Sequence, residues 1–288
     1  MPQQPVGDPT LSDVVLTRGY LGLLLIATVV GIPVSLAAFG FVSLEHELQH
    51  WVWESLPQAV GLDRAPWWWP LPALLLAGLL LVPVVTRLPG RGGHVPVDGL
   101  GGPPTPPNAL PRRTAQRTVL CAVAVGACIT AFALLTGRSP EEAALSGQAT
   151  LGALAADPQS WSIGALVALT LCKAAGWGIA LGSLRGGPIF PALLIGAAIG
   201  VACGALPGLG TAPGLAAGLA ASGAAVTRLP VTSTVLAAEL LGGDATNAMP
   251  LLIVATATGF LTGELIRARA TGRGAGRAPV PAAAGRTG

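Results

Sequence analysis

The sequence predicts an all-helical, polytopic integral membrane protein built from a helical bundle with broken helices. Three observations carry this. Apolar residues make up 52% of the 288-residue chain and charged residues only 10%, against roughly 25% charged in soluble domains. Glycine (40) and proline (26) are both abundant, as close helix packing and interrupted spans require. The stretch Gly186–Thr227 runs 42 residues without one charged side chain, longer than the roughly 20 residues of a single bilayer crossing.

The elements follow in order. Gly19–Leu44 is uncharged between Arg18 and Glu45 and predicts a first span. Asp8 and Asp13 precede it in place of a basic n-region, so the span is expected to stay in the mature protein. Glu45–Asp63 is an acidic connection containing Trp51 and Trp53. Trp67, Trp68 and Trp69 form an interfacial cluster that opens a second span ending at Arg87. Residues 88–112 are too rich in Gly and Pro for a membrane helix. Thr118–Gly137 predicts a third span, Pro140–Pro158 an amphipathic or re-entrant piece, and Trp161–Leu184 a fourth apolar segment. The 42-residue run is broken by Gly and Pro at its start, at Gly204–Gly214 and at Arg228-Leu229-Pro230, so it reads as short helices joined by irregular backbone. Pro230–Leu241 and Ala248–Ile266 are further helices, and the Arg-, Gly- and Pro-rich tail after Arg267 is expected to be disordered.

Charge placement sets an orientation. Arg87, Arg91, Arg112, Arg113 and Arg117 share one connection, and Arg267, Arg269, Arg273 and Arg277 share the tail, which places both in the cytoplasm. Glu45, Glu47, Glu54 and Asp63 then lie outside. A net charge of +3 is too small to suggest nucleic acid, and none is expected as a partner. The four cysteines all lie in apolar runs and read as packing residues, with spacings that fit neither a disulfide framework nor a zinc knuckle.

Four features could carry chemistry. Gly187-Pro188-Ile189-Phe190-Pro191 opens a helix after a break, and a helix amino end offers unpaired N–H groups and partial positive charge to an anion. Gly92-Gly93-His94-Val95-Pro96 is a second Gly-rich break after a span. Lys173, Arg228 and Glu239 are intramembrane charges, and such charges are costly, usually paired and often functional. For Arg228 and Glu239 a structural pair, meeting across a bend or between helices, is weighed at least equally with a transport role. Finally, His46-Glu47-Leu48-Gln49-His50 matches H-E-x-x-H, which on a helix sets two imidazoles on one face for zinc with Glu47 as general base. Asp98 is the candidate third ligand. The competing reading makes His46 and His50 interfacial polar residues at the end of the first span.

Residues 182–264 resemble the C-terminal half of the CLC chloride channel and proton/chloride antiporter family. Gly187–Pro191 is similar to that family's G-x-F-x-P anion loop, with Ile189 where Phe is usual. Gly218–Thr232, containing Arg228-Leu229-Pro230-Val231-Thr232, resembles the next helix and the R-x-P-L-T start. Leu236-Ala237-Ala238-Glu239-Leu240 resembles the L-x-x-E-[ML] helix, Pro250 matches the proline opening the following one, and Lys173 sits where the family often has a basic residue. Upstream, Gly92–Pro96 resembles the G-S-G-I-P loop.

The resemblance implies an incomplete inverted repeat. Its organisation is an N-terminal segment (1–18), a partial first repeat (19–100), a Pro-rich basic linker (101–117), a second repeat (118–266) and a basic tail (267–288). It implies anion transport, not enzymatic turnover, in a multi-pass protein of a bacterial plasma membrane. It also implies no cofactor, chloride or a similar monovalent anion as ligand, the lipid bilayer as surroundings, and a homodimer as the candidate assembly. Departures from the pattern predict weak binding. The gating motif G-[RK]-E-G-P is absent, so proton coupling is not expected. Gly93 replaces the coordinating serine, the C-terminal tyrosine has no counterpart, and Pro188 has no N–H where an amide would help bind the anion. Two other readings are a non-transporting membrane subunit and an intramembrane zinc protease.

Overall fold

A computed structural model describes residues 18–87, 114–183 and 187–275. These residues form helices, and no strand occurs among them. Contacts divide the chain into two compact units, one ending at Arg64 and one beginning at Ala65.

The first unit holds α1 (Arg18–His50), a widened turn at Trp51–Ser55 and the short α2 (Leu56–Ala59). The predicted first span is therefore the opening of a longer helix that continues through the acidic connection. Pro33 lies inside α1, which costs one backbone hydrogen bond.

The second unit holds α3 (Pro70–Arg87), α4 (Thr114–Thr136), α5 (Gln148–Ala156), α6 (Ile163–Ser183), α7 (Ile189–Gly204), α8 (Thr211–Thr227), α9 (Pro230–Leu241) and α10 (Ala245–Ala275). Four helical stretches are long and apolar enough to cross a membrane: Gly22–Ala59, Gln116–Thr136, Ile163–Leu181 and Ala245–Arg269. Pro70–Val84, Ile189–Gly204 and Pro230–Leu241 are apolar but shorter. The chain is an all-α, multi-pass membrane protein.

Two boundaries differ from expectation. The last helix starts at Ala245, so Pro250 lies inside it instead of opening it. The same helix runs to Ala275 and not only to Ile266. Arg267 is held in place by Glu264 and by the backbone of α8, which keeps the helix wound past the last apolar residue.

The 42-residue uncharged run folds as expected into two helices, α7 and α8, joined at Ala205–Gly210. They pack antiparallel through glycine. A Cβ at Gly196, Gly200 or Gly204 would overlap the backbone of Gly218, Gly214 or Gly210 respectively, and Gly214 and Gly218 meet Gly200 and Gly196 in return. Small residues four apart let two backbones approach closely where lipid supplies no hydrophobic drive. Gly259 of α10 meets Ala221 of α8 in the same manner. Leu193, Leu194, Leu219 and Leu252 fill the centre and are fully buried.

Candidate anion site

The site is built on one face of α6. Cys172, Lys173, Gly176, Trp177 and Ala180 recur at helical spacing and line a cleft of about 280 Å³. Val125 and Ile129 of α4 form a second wall. The turn before α5 contributes Ala143, Leu145 and Ser146, and the start of α7 contributes Gly187 and Pro191. The predicted loop and the predicted intramembrane lysine thus share one cavity, an arrangement their spacing in sequence did not reveal.

Lys173 is 6% exposed. Its Nζ donates to three consecutive carbonyl oxygens, those of Ala143 (3.0 Å), Ala144 (2.9 Å) and Leu145 (2.7 Å). An ammonium has three donors, so all are used. Among the described residues no carboxylate forms an ion pair with it. Directing three successive carbonyls at one nitrogen bends the chain sharply, and Leu145 adopts a left-handed conformation with φ 55°. That conformation costs about 1–2 kcal/mol for a residue with a Cβ, whereas hydrogen bonds to a charged group contribute about 1.5–3 kcal/mol each. The charge therefore offsets the strain. Gly147 follows with φ 87°, and a Cβ there would press on Leu194.

The turn is tied down from outside as well. Thr150 Oγ1 donates to the Glu142 carbonyl at 2.8 Å. Arg138 grips the Glu142 carboxylate with two nitrogens and lies 3.8 Å from the Trp161 ring centre.

At the start of α7, Pro188 takes α-region angles and its carbonyl accepts from Ala192 N–H at 3.3 Å. Pro188 and Pro191 are buried, Ile189 and Phe190 half-buried, and Gly187 exposed. The first amides of a helix have no intrahelical acceptor. Proline supplies none, so Ile189 and Phe190 carry the N–H groups this end can offer a ligand. The second predicted loop, Gly92, Gly93, His94, Val95 and Pro96, lies outside the described residues, as does Asp98.

The expected Arg228–Glu239 pair does not form. Arg228 ends α8 with φ 61°, and its Nε lies 3.0 Å from Glu264 on α10. Arg267 bonds the same carboxylate at 2.9 Å and donates to the Ala225 carbonyl at 3.0 Å. Glu239 is exposed and has no ion-pair partner among the described residues. The reason is geometric. Pro230 starts α9, and Glu239 stands nine residues along it, about 14 Å away at 1.5 Å per residue. Packing of α10 on α8 delivers Glu264 instead. Glu264→Ala is expected to cost about 1 kcal/mol, the discounted value of a half-exposed network, and Glu239→Ala nothing measurable. Thermal melting of both variants in detergent checks this, and equal shifts would count against the assignment.

His46, Glu47 and His50 are exposed on α1. His50 Nε2 faces Glu54 at 3.1 Å. No group of three or more His, Cys, Asp or Glu fit to hold a metal occurs among the described residues.

Ala143, Ala144, Leu145, Ser146 and Trp177 escaped the sequence reading. Trp177 carried a usable signal, since it stands four residues after Lys173 and so shares its helix face. Ser146-Gly147 ahead of an apolar stretch was a second, as a helix-start pattern. The carbonyls had none.

The family model described as voltage gated chloride channel matches residues 6–263. The protein named Putative ion-transport protein YfeO of Shigella flexneri is 33% identical over 96 residues, which is 33% of this chain and 23% of that relative's length. This chain therefore aligns with less than a quarter of that protein. No solved structure matches. The match of the family model to most of the chain, over the helices that carry the cleft, shows that the chain belongs to the voltage gated chloride channel family.

Proposed function

We propose that the protein passes chloride or similar monovalent anions across the membrane, by way of the cleft at the amino end of α7. One observation carries the reading: the amino end of α7 shares a cavity with a buried lysine that no carboxylate neutralises among the described residues. Helix amino ends at membrane depth hold dehydrated anions without a full opposing charge on the ligand's path. Residues 19–100 act as a partial first repeat and 118–266 as the second.

Binding is weak in this reading. Pro188 and Pro191 remove two first-turn amides and Gly93 offers no hydroxyl. Each lost hydrogen bond to a charged group is worth about 1.5–3 kcal/mol. A millimolar site is only about 4 kcal/mol deep, so two or three losses empty it.

Reconstituted liposomes test the function. Chloride and nitrate flux is expected to exceed potassium flux, and Pro188→Gly, which restores an amide, is expected to raise anion uptake several-fold. Potassium flux without anion flux would overturn the reading.

A further inference from the structure

Among the described residues, Leu145 and Arg228 take the left-handed conformation without being glycine. The bonds from Lys173 hold Leu145 in place. Arg228 closes α8, its N–H donating to the Ala224 carbonyl at 3.1 Å. Glycine is the usual residue at such a helix end, because it takes this conformation without cost. Arginine carries a steric penalty there, so its side chain has a task that the turn itself does not set. Arg228 and Arg267 share the Glu264 carboxylate but divide the work. Arg267 commits all three nitrogens, Nε and Nη2 to Glu264 and both terminal ones to the Ala225 carbonyl. It clasps α10 to α8. Arg228 reaches Glu264 through Nε alone, and its side chain is 45% exposed. Its two terminal nitrogens meet no acceptor among the described residues.

Depth and surroundings identify the acceptor. The stretch of α10 able to cross a membrane runs Ala245–Arg269, so Glu264 stands in its last two turns and holds Arg228 at that level. Lipid headgroups begin where a span ends. Apolar side chains beside the pair are open: Leu261 and Leu265 on α10 are 58% and 59% exposed, and Val231, three residues after Arg228, is 77% exposed. Exposed Arg269 follows Arg267 by two residues, so three guanidinium groups stand against one carboxylate at this end of α10 among the described residues. A guanidinium with both terminal nitrogens open is a fork that fits a phosphodiester. We infer that Arg228 binds the headgroup phosphate of an anionic phospholipid, with Glu264 aiming the guanidinium and Leu261, Leu265 and Val231 offering an apolar surface to the acyl chains. The excess of positive charge selects a headgroup of net negative charge over a zwitterionic one.

Native mass spectrometry of the detergent-purified full chain tests this, with phosphatidylglycerol and phosphatidylcholine titrated separately. Phosphatidylglycerol is expected to be retained in preference. Arg228→Gly is expected to lower its affinity about tenfold, the value of one hydrogen bond to a charged group, and to leave phosphatidylcholine unchanged. Glycine suits the left-handed position, so this variant is expected to melt no lower than wild type. Arg228→Gln is the second variant should the first fail to fold. Glu264→Gln removes the competing carboxylate and is expected to tighten phosphatidylglycerol binding, a gain that a purely structural cluster would not give. Unchanged phosphatidylglycerol affinity in Arg228→Gly, or an equal loss for both lipids, overturns the inference. Displacement of the lipid by an equal concentration of inorganic phosphate overturns it too, because the cluster then serves a free anion. None of these measurements depends on transport.

Discussion

Replacing Gly200 with leucine is expected to leave no stably folded protein in detergent, and Gly200→Ala to cost about 3 kcal/mol, the upper end of ordinary overpacking. A Cβ at Gly200 would overlap the Gly214 carbonyl. The obstacle is backbone on a buried helix, so no side chain can rotate away to relieve it. Gly152 supplies the control. It lies in α5 with nothing within 4 Å of a built Cβ, so Gly152→Ala is neutral or stabilising by about 0.5–1 kcal/mol through helix propensity. Fluorescence-detected gel filtration after heating compares the three. A Gly200→Leu protein that melts with wild type would disprove close backbone packing of α7 on α8.

The second large effect is expected at Lys173. Lys173→Met keeps the length of the stem and removes the ammonium. The carbonyls of Ala143, Ala144 and Leu145 then lose their shared donor. Unsatisfied buried acceptors cost about 1–3 kcal/mol each, and removal of a buried charge returns part of that. A net loss of about 3 kcal/mol is the expected balance. The left-handed Leu145 no longer has a compensating bond, so the turn at 143–147 should relax first. Hydrogen exchange at Ser146 and Gly147 should quicken by tenfold or more, ahead of the helices around it. Unchanged melting together with unchanged exchange would show that the ammonium does not hold the turn.

Much of the fold was legible because bilayer physics writes it in plain composition. An uncharged run between Arg117 and Arg138 located α4 and an apolar segment carrying Lys173 alone located α6, each to within a few residues, and Pro230 marked the start of α9. The break between α7 and α8 was readable from Gly204–Gly214 alone. The ion pairing was not. Glu239 was the nearer carboxylate to Arg228 along the chain, whereas Glu264 is the nearer one in space, and only the packing of α10 on α8 decides between them. The loop that opens α7 was legible from its glycine and prolines, and Lys173 from its isolation in an apolar segment. The three carbonyls that receive Lys173 were illegible in principle, since every residue has a carbonyl and only a fold aims it.

The glycine register between α7 and α8 also fixes how these helices can move. Gly196, Gly200 and Gly204 oppose Gly218, Gly214 and Gly210, so every fourth residue along the seam is a notch without a tooth. A slide of one or two residues jams a carbonyl against a bulkier neighbour. A slide of four residues, about 6 Å, seats glycine against glycine again. The seam is thus a ratchet with discrete stops and no smooth travel between them. Within one stop the pair behaves as a single stiff strut. Because the pair is antiparallel, the loop at Gly187–Pro191 and the end of α8, where Arg228 meets Glu264, sit at the same end of that strut and move together.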